Sequence, residues 1–596
     1  MAASGNEGLR IANCSRFYGD RLSAAREMLE DGPIDFLTGD YLAELTMLIL
    51  WKLKQKDDSR GYATTYLRQM KDVMGLALEK GVKIVTNAGG LNPAGLANEL
   101  RAIAKDQGIT ANIAHIEGDD LLAKLPELQA AGHNLAHLDT GQPLAELGAH
   151  PLSANAYLGA WGIVDALEQG ADIVVCPRVT DASVVVGPAA WKFGWQRDDW
   201  DRLAGAVAAG HVVECGAQCT GGNYAFFQEV PGLERPGFPI AEMYDDGSSV
   251  ITKHAGTGGL VSVGTVTAQL LYEIDAPRYA NPDVVARFDT VRLEQVGKDR
   301  VRMYGVQGEP ATGKVKICLN YLGGFRNAMT LVLTGLDIEA KAALVKRTLL
   351  AALDGGKAAD SIEFELARGD KADAPTNVEA TAQLRVTVKS GNPEKIGRAF
   401  SSAVVEMALA SYPGFFATTP PGDATPYGVY WPALVPADVV QPVVVLEDGT
   451  RRPTAWTEAS AGAIDVRPPE IEIPGVPGGP TKRLPLGTVF GARSGDKGGN
   501  ANVGLWARSA AGYAWLDANL DIDAFKKLMP EAAEMEVRRF AFPNLWAVNF
   551  VVVGLLGEGV SSSVRFDPQA KGLGEYLRSR YVDLPEALLA DAPQAV

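Results

Sequence analysis

Over its first 200 residues the chain alternates short β-branched runs with longer stretches of helical period, and this alternation constrains the fold more than any other feature. The runs are LRIANCS from Leu9, IDFLTGD from Ile34, GVKIVTNAGG from Gly81, ITANIAHIEGDD from Ile109 and GADIVVCPRV from Gly170. Helical stretches fall between them: Asp20 to Leu29, from Tyr41, after Pro93, after Asp120 and from about Asn155. Such a βα series predicts an α/β fold with a mostly parallel sheet wrapped by helices, since parallel neighbours need crossovers that cover the sheet. Ligands of these sheets bind at the carboxyl ends of the strands.

The pattern changes after residue 270. VRLEQV, VRMYGVQ and KVKICLNYLGG read as strands before a helix at Ile338–Ala352; SIEFELARG and TAQLRVTVKSG read as strands before a helix from Pro393 to Ser411. This is an α+β lobe, 271–460, attached to the α/β lobe, 8–270, as one unit because no linker separates them. Residues 467–485, RPPEIEIPGVPGGPTKRLP, are a Pro/Gly-rich linker. Beyond it, 485–585 reads strand, strand, helix to Leu528, strand, strand and a helix after Asp567, a small ferredoxin-like α+β domain.

Composition narrows the function. A chain of 596 residues, 47% apolar, exceeds what one core fills, so two or three domains are expected. Fifty-six basic against 72 acidic residues leave a net charge of −16, with no basic tract to meet a phosphate backbone; nucleic acid is excluded as a partner. The start lacks signal-peptide character, and the apolar stretches around Leu45 and Val551 fall short of the ~20 residues a bilayer requires. A soluble cytoplasmic protein is expected, its five cysteines being free thiols of a reducing compartment.

Where a strand gives way to a helix, backbone N–H groups and the helix dipole can hold an anion. Four such junctions line up: Asn13–Asp20, Thr38–Glu44, Thr86–Pro93 and Cys176–Ser183. At the third, Gly89 and Gly90 would let the backbone approach a carboxylate or phosphate beside Asn87, while Asn92 and Pro93 read as the cap and first residue of the next helix. A glycine-permitted turn with nothing bound explains the same residues, and neither a P-loop nor a dinucleotide fingerprint is present. Asp20, Asp40 and Glu44 are acid/base candidates at this edge, Asp40 and Glu44 one helical turn apart; simple N-capping competes for both aspartates. Asp181 joins them beside Arg178, a cation suited to bidentate carboxylate or phosphate binding.

Cys215 has His211 and Glu214 close in sequence as possible bases and Gly221 and Gly222 as backbone contacts, although a buried structural cysteine explains it as well. His133 and His137 stand at i and i+4 without a third ligand nearby, so no metal is expected. The loop His254–Leu260 would close over an anion or simply turn. In the C-terminal domain ARSGDKGGNANVG, Ala492–Gly504, joins two strands through a polar connection longer than a hairpin requires. Arg493, Ser494, Asp496, Lys497 and Asn500 make it a candidate for binding or for docking between domains.

Five motifs in order, IDFLTGDYLAELTMLIL, TNAGGLNP, HVVECGAQCTGG, GTGGLVSVGTVTAQLLYE and ARSGDKGGNANVG, resemble the acyclic terpene utilisation (AtuA) family. The resemblance spans an N-terminal domain of about 8–460 and a ferredoxin-fold domain of about 485–585. It departs at Gly499, where an acidic residue would be expected after the Ser494–Gly498 core, so the resemblance carries no carboxylate role over to that position. The resemblance implies catabolism of citronellol- or geraniol-type compounds through branched acids and their CoA thioesters, in a hydratase- or lyase-type step with no tightly bound cofactor and CoA only as part of the substrate. Glycine-rich backbone donors would stabilise a thioester enolate while a carboxylate moves the proton. Two alternatives stand beside it: a non-catalytic assembly or carrier-binding protein whose C-terminal domain docks a neighbouring pathway enzyme, and a Cys215-dependent hydrolase or transferase. A homo-oligomer is the common arrangement for such enzymes.

Overall fold

The computed structural model describes residues 8–457 and 466–593, with the side chains of 44 and 45 outside that description. The five β-branched runs become β1 (Leu9–Asn13), β2 (Phe36–Gly39), β3 (Lys83–Thr86), β4 (Ile113–Glu117) and, after β5 (Pro151–Ala156), β6 (Ile173–Val175). They lie parallel in the order β1-β2-β3-β6-β4. Antiparallel strands extend both flanks. Pro239–Met243, Ser249–Lys253, Arg300–Tyr304 and Arg292–Gly297 follow β1, and Val443–Val445 and Arg451–Pro453 follow β4, completing an 11-stranded sheet. The parallel character therefore belongs to the centre alone. The added strands come as hairpins with short turns, which can only pair antiparallel.

The crossovers are helical as the periodicity predicts: Ala24–Glu30, Glu44–Lys56 with Thr64–Glu79, Pro93–Gln107 and Trp161–Glu168. Pro93–Gln107 shows why sequence sets its ends. The Asn92 side chain accepts from Gly95 N at 2.9 Å, Pro93 occupies the first position, and Gly108 closes the helix with φ of 68°. The helix expected from about Asn155 is instead β5, with its helix starting only at Trp161. β5 takes no part in the first sheet and pairs antiparallel with Ile317–Tyr321, and this remote partner decides its conformation.

That partner is a 21-residue strand, Lys314–Thr334, at the centre of a second sheet with Ser361–Ala367, Thr381–Ser390, Phe416–Ala417 and Thr425–Pro436. Gly323 and Gly324 do not end it; they form a bulge where the register with Thr425–Pro436 shifts. Helix Ile338–Ala352 packs on one face as expected, and the helix expected at 393–411 is broken at Gly397 into Pro393–Ile396 and Arg398–Glu406. β5 joins this sheet from the first lobe, and Val443–Pro453 returns to the first sheet from the second, so the two lobes are interleaved.

Residues 466–480 connect to the C-terminal domain, and the end of the predicted linker, Thr481–Pro485, pairs with Tyr581–Pro585. The domain is an antiparallel sheet in the order Gly491–Lys497, Asn500–Trp506, Ala547–Val552, Val537–Phe542, with helices Ala510–Asn519, Ile522–Leu528 and Leu573–Arg578. The expected long connection is not a loop. Lys497 pairs with Asn500 across the two-residue turn Gly498–Gly499, with Gly498 at φ of 62°, and the polar residues lie on the strands themselves. Asn500–Trp506 is buried along its whole length because both faces are covered. Ala501, Val503 and Leu505 enter the domain's own core, and Asn502 and Gly504 face the first lobe.

Candidate functional site

Asp40 follows β2 at the carboxyl edge of the parallel strands, its side chain fully buried. Its Oδ1 accepts from Asn87 Nδ2 at 2.5 Å and from Leu42 N at 3.2 Å, and Oδ2 meets Arg16 Nη1 at 3.4 Å. Helix Glu44–Lys56 begins with Ala43 as its cap, so Asp40 caps no helix and shares no helical face with Glu44, whose side chain lies outside the described residues. Asn87, after β3, is oriented in turn by accepting from Tyr41 N at 2.8 Å. After β6, Arg178 lies 4.2 Å over the Tyr157 ring and donates to Asp181 Oδ1 at 2.9 Å. Burial, then the nearby charge of Asp181, hold the Asp40 carboxyl well above the usual carboxylate range, against the opposing pull of Arg16, Arg178 and Asn87. Asp40 is closed off, while Asp181 is 28% exposed and opens the cluster to solvent.

A second arc faces this one. Asn13 Nδ2 donates to Val213 O at 2.6 Å and Glu214 O at 3.0 Å, tying the end of β1 to the end of helix Trp200–Val213. Glu214 is buried, which raises its pKa, and its Oε1 lies 3.4 Å from His211 Nδ1. Cys215 is buried too, and burial pushes its thiol up to about 12, so it stays protonated at neutral pH. His211 sits against the Tyr279 and Phe288 rings and makes no hydrogen bond to Cys215.

Glu273, whose place in the chain suggests no role by itself, joins the two arcs. Its Oε2 meets Arg16 Nη2 at 3.3 Å, and its Oε1 meets Nζ of Lys571 from the C-terminal domain at 3.0 Å. Burial opposes ionisation, but Arg16 and Lys571 together hold the carboxyl at about 2. Its backbone sits in the left-handed region at φ of 56°, a conformation held by Asn502 Oδ1 accepting from its N–H at 2.9 Å and Lys497 Nζ donating to its carbonyl at 2.8 Å. Arg16 thus bridges Asp40 and Glu273, one nitrogen to each. Both residues border segments singled out in the sequence, Arg16 in the Asn13–Asp20 junction and Glu273 at the end of the GTGGLVSVGTVTAQLLYE motif. Neither carried a spacing signal, because their partnership crosses 257 residues.

The hairpin of the C-terminal domain forms the outer wall. Arg493 stacks 4.3 Å over Tyr272 and donates to Asn223 O at 3.1 Å and to Gln218 Oε1; Asp496 meets Lys571 Nζ at 3.4 Å. Asn500 Nδ2 donates to Asp139 Oδ1 at 2.8 Å. Ser494 turns inward, accepting from Gly574 N at 2.8 Å and donating to Lys571 O.

The remaining candidates stand apart from the charged cluster or are engaged by the chain. Gly89 N donates to Cys176 O at 3.1 Å and Gly90 N to Asn87 O at 3.2 Å, leaving a turn before a capped helix in place of an anion cradle. Gly221 and Gly222 likewise donate to Gln218 O and Ala217 O. Asp20 accepts from Arg16 N at 2.8 Å and Arg21 N at 2.7 Å, four residues before the helix it would have capped. His133 and His137 lie in irregular chain, without a shared helical face. His254 bonds the Met28 carbonyl at 2.9 Å. Among the described residues no group of three His, Cys, Asp or Glu side chains is arranged to hold a metal ion, and no helix is long and apolar enough to cross a membrane.

The fold and site define a two-part α/β protein: a mixed sheet with buried acids and arginines at its parallel edge, and a small α+β domain whose lysines complete the charge network there. Residues 9–446 match the family model described as acyclic terpene utilisation family protein AtuA, and residues 484–583 match the AtuA ferredoxin-like domain. The chain belongs to the AtuA family, whose name ties it to the utilisation of acyclic terpenes. No curated protein and no solved structure matches it.

Proposed function

We propose that the chain is an enzyme of acyclic terpene or branched-acid catabolism that moves a proton on a small carboxylic acid or its acyl-CoA thioester, in a hydratase- or lyase-type step without a redox cofactor. The observation that carries this reading is the buried Asp40 carboxyl, raised above its ordinary range and set between Arg16 and Arg178, with Asp181 nearby and open to solvent. Two carboxyl groups in unlike environments are how one site supplies an acid and a base at the same pH. In this reading Asp40 donates the proton, Asp181 accepts one from water or from the carbon next to the carbonyl, and the arginines balance the negative charge that develops on the carbonyl oxygen. Asn87 keeps Asp40 aimed. The protonated state of Cys215 speaks against thiol nucleophilic catalysis, and the polar hairpin, being seated on the first lobe, is not a free surface for a partner enzyme.

Native mass spectrometry with branched acids and their CoA thioesters tests the reading. A thioester or acid whose mass changes supports it, and the change names the step. Binding without conversion by the folded protein would favour a carrier role, and a Asp40→Asn variant with unchanged turnover would remove Asp40 from the mechanism.

A further inference from the structure

The second sheet carries a charged feature that the acid/base site does not use. On the strand pair Lys314–Thr334 and Thr381–Ser390, Arg326 stands directly opposite Lys389, and Arg385 lies four residues before Lys389 on the same face. The alternate residues Met329, Leu331, Val386 and Val388 fill the core under the helices, so the three cations share the opposite face. Like charges paired across strands destabilise a sheet. Each is nonetheless partly buried, and among the described residues no carboxylate lies within 4.0 Å of any of them.

A loop of the C-terminal domain, residues 558–566, roofs this face. Arg326 Nη1 donates to Ser561 O at 3.0 Å, Arg385 Nη1 to Val564 O at 3.4 Å and Arg565 O at 3.3 Å, and Lys389 Nζ to Ser562 Oγ at 2.9 Å. One nitrogen of each is engaged, whereas an arginine carries five N–H donors and a lysine three. Much of the donor capacity is left over, while the Tyr427 ring 4.8 Å from Lys389 Nζ and the Phe566 ring 5.8 Å from the Arg385 guanidinium carbon answer part of the charge. The carboxylates that bear on the face do so at longer range: Glu558, which accepts from Ser562 Oγ at 3.0 Å, and Glu363 both attract Lys389, and Glu365 stands opposite Arg385 in the neighbouring strand. Burial and the mutual repulsion of the cations lower the pKa of both Arg326 and Lys389, a cost that a bound anion would remove.

We propose that Arg326, Arg385 and Lys389, under the 558–566 loop, form a binding site for a phosphate or diphosphate group. Two planar guanidinium forks with a lysine point charge suit a multiply charged oxyanion. The site does not depend on the acid/base chemistry proposed above.

The test is calorimetric titration of the full chain with inorganic pyrophosphate at constant ionic strength. Saturable binding is expected, weakened about tenfold or more in Arg326→Gln and in Lys389→Gln, the loss of one charge-assisted hydrogen bond. Glu558→Gln, which removes the carboxylate that bears most on Lys389, is expected to tighten binding, and it decides the matter if the cation variants fail to fold. Absence of saturable binding to the wild type overturns the proposal, as does an affinity unchanged in all variants that fold. Titrating coenzyme A against bound pyrophosphate separates the sources: competition assigns the site to phosphate carried on a larger molecule, and pyrophosphate binding without competition assigns it to free phosphate.

Discussion

Asp40 and Glu273 sit on the two terminal nitrogens of the Arg16 guanidinium and answer pH in opposite senses. With its native pKa raised, Asp40 keeps a proton that the unfolded chain releases above about 3.9, so its contribution to stability falls as pH rises through that window. Asp40→Asn cannot titrate. Its melting temperature relative to the wild type is therefore expected to climb between pH 4 and pH 7, as measured by scanning calorimetry, while turnover falls by about 10²–10⁴-fold. Glu273, held at about 2, stabilises the fold above its unfolded value of about 4.3 and loses that contribution as pH falls toward 2. The side chain is 24% exposed, and solvent screening brings the effect of Glu273→Gln down to about 1–2 kcal/mol at pH 7. Urea titrations should show that deficit shrinking at pH 3; a deficit independent of pH would mean that packing, and not charge, is what the substitution disturbs.

At the scale of elements, strand Asn500–Trp506 bears the closure of the two parts. Asn502 Nδ2 donates to Leu271 O at 2.8 Å and its Oδ1 accepts from Glu273 N, while Asn549 Nδ2 donates to Asp275 O at 2.9 Å. The edge of residues 271–275 is thereby solvated by side-chain amides from the other domain. Asn502→Ala would leave a buried carbonyl and N–H without partners and is expected to cost about 1–3 kcal/mol in chemical denaturation. A Cβ at Gly504 would stand 2.7 Å from Leu271 Cβ, so Gly504→Val should cost a similar amount through overpacking. Equal stability of both variants with the wild type would show that this seam is not closed in solution. The glycines and asparagines that read in sequence as a binding loop are small or amide-bearing because another chain segment lies against them.

For the whole molecule, the interleaved lobes and the C-terminal domain meet through Lys571–Glu273, Arg493–Asn223, Asn500–Asp139 and Arg326–Ser561, contacts that reach from turns of the first lobe to the long strand of the second. A protease site placed within residues 468–479 should accordingly give a nicked protein whose two pieces elute together in size-exclusion chromatography. Pieces that separate would show that the connecting segment, and not the interface, holds the domain in place.

Local pattern determined the five parallel strands, helix Ile338–Ala352, the capped start at Asn92 and the strand, strand, helix, strand, strand, helix core of the C-terminal domain, because each depends on neighbours within a few residues; the flanking strands Thr481–Pro485 and Tyr581–Pro585, paired across the whole domain, left no such mark. It also pointed to the carboxyl edge where Asp40, Arg178 and Asp181 gather. Only the tertiary structure decided that Asn155 lies in a strand, that Ser494–Lys497 and Asn500 are paired backbone on either side of a tight turn, and that Arg16 and Glu273 join the charged cluster at Asp40. Those outcomes rest on partners that stand far away in the chain, and a pairing energy between distant segments leaves no mark in the local pattern of either one.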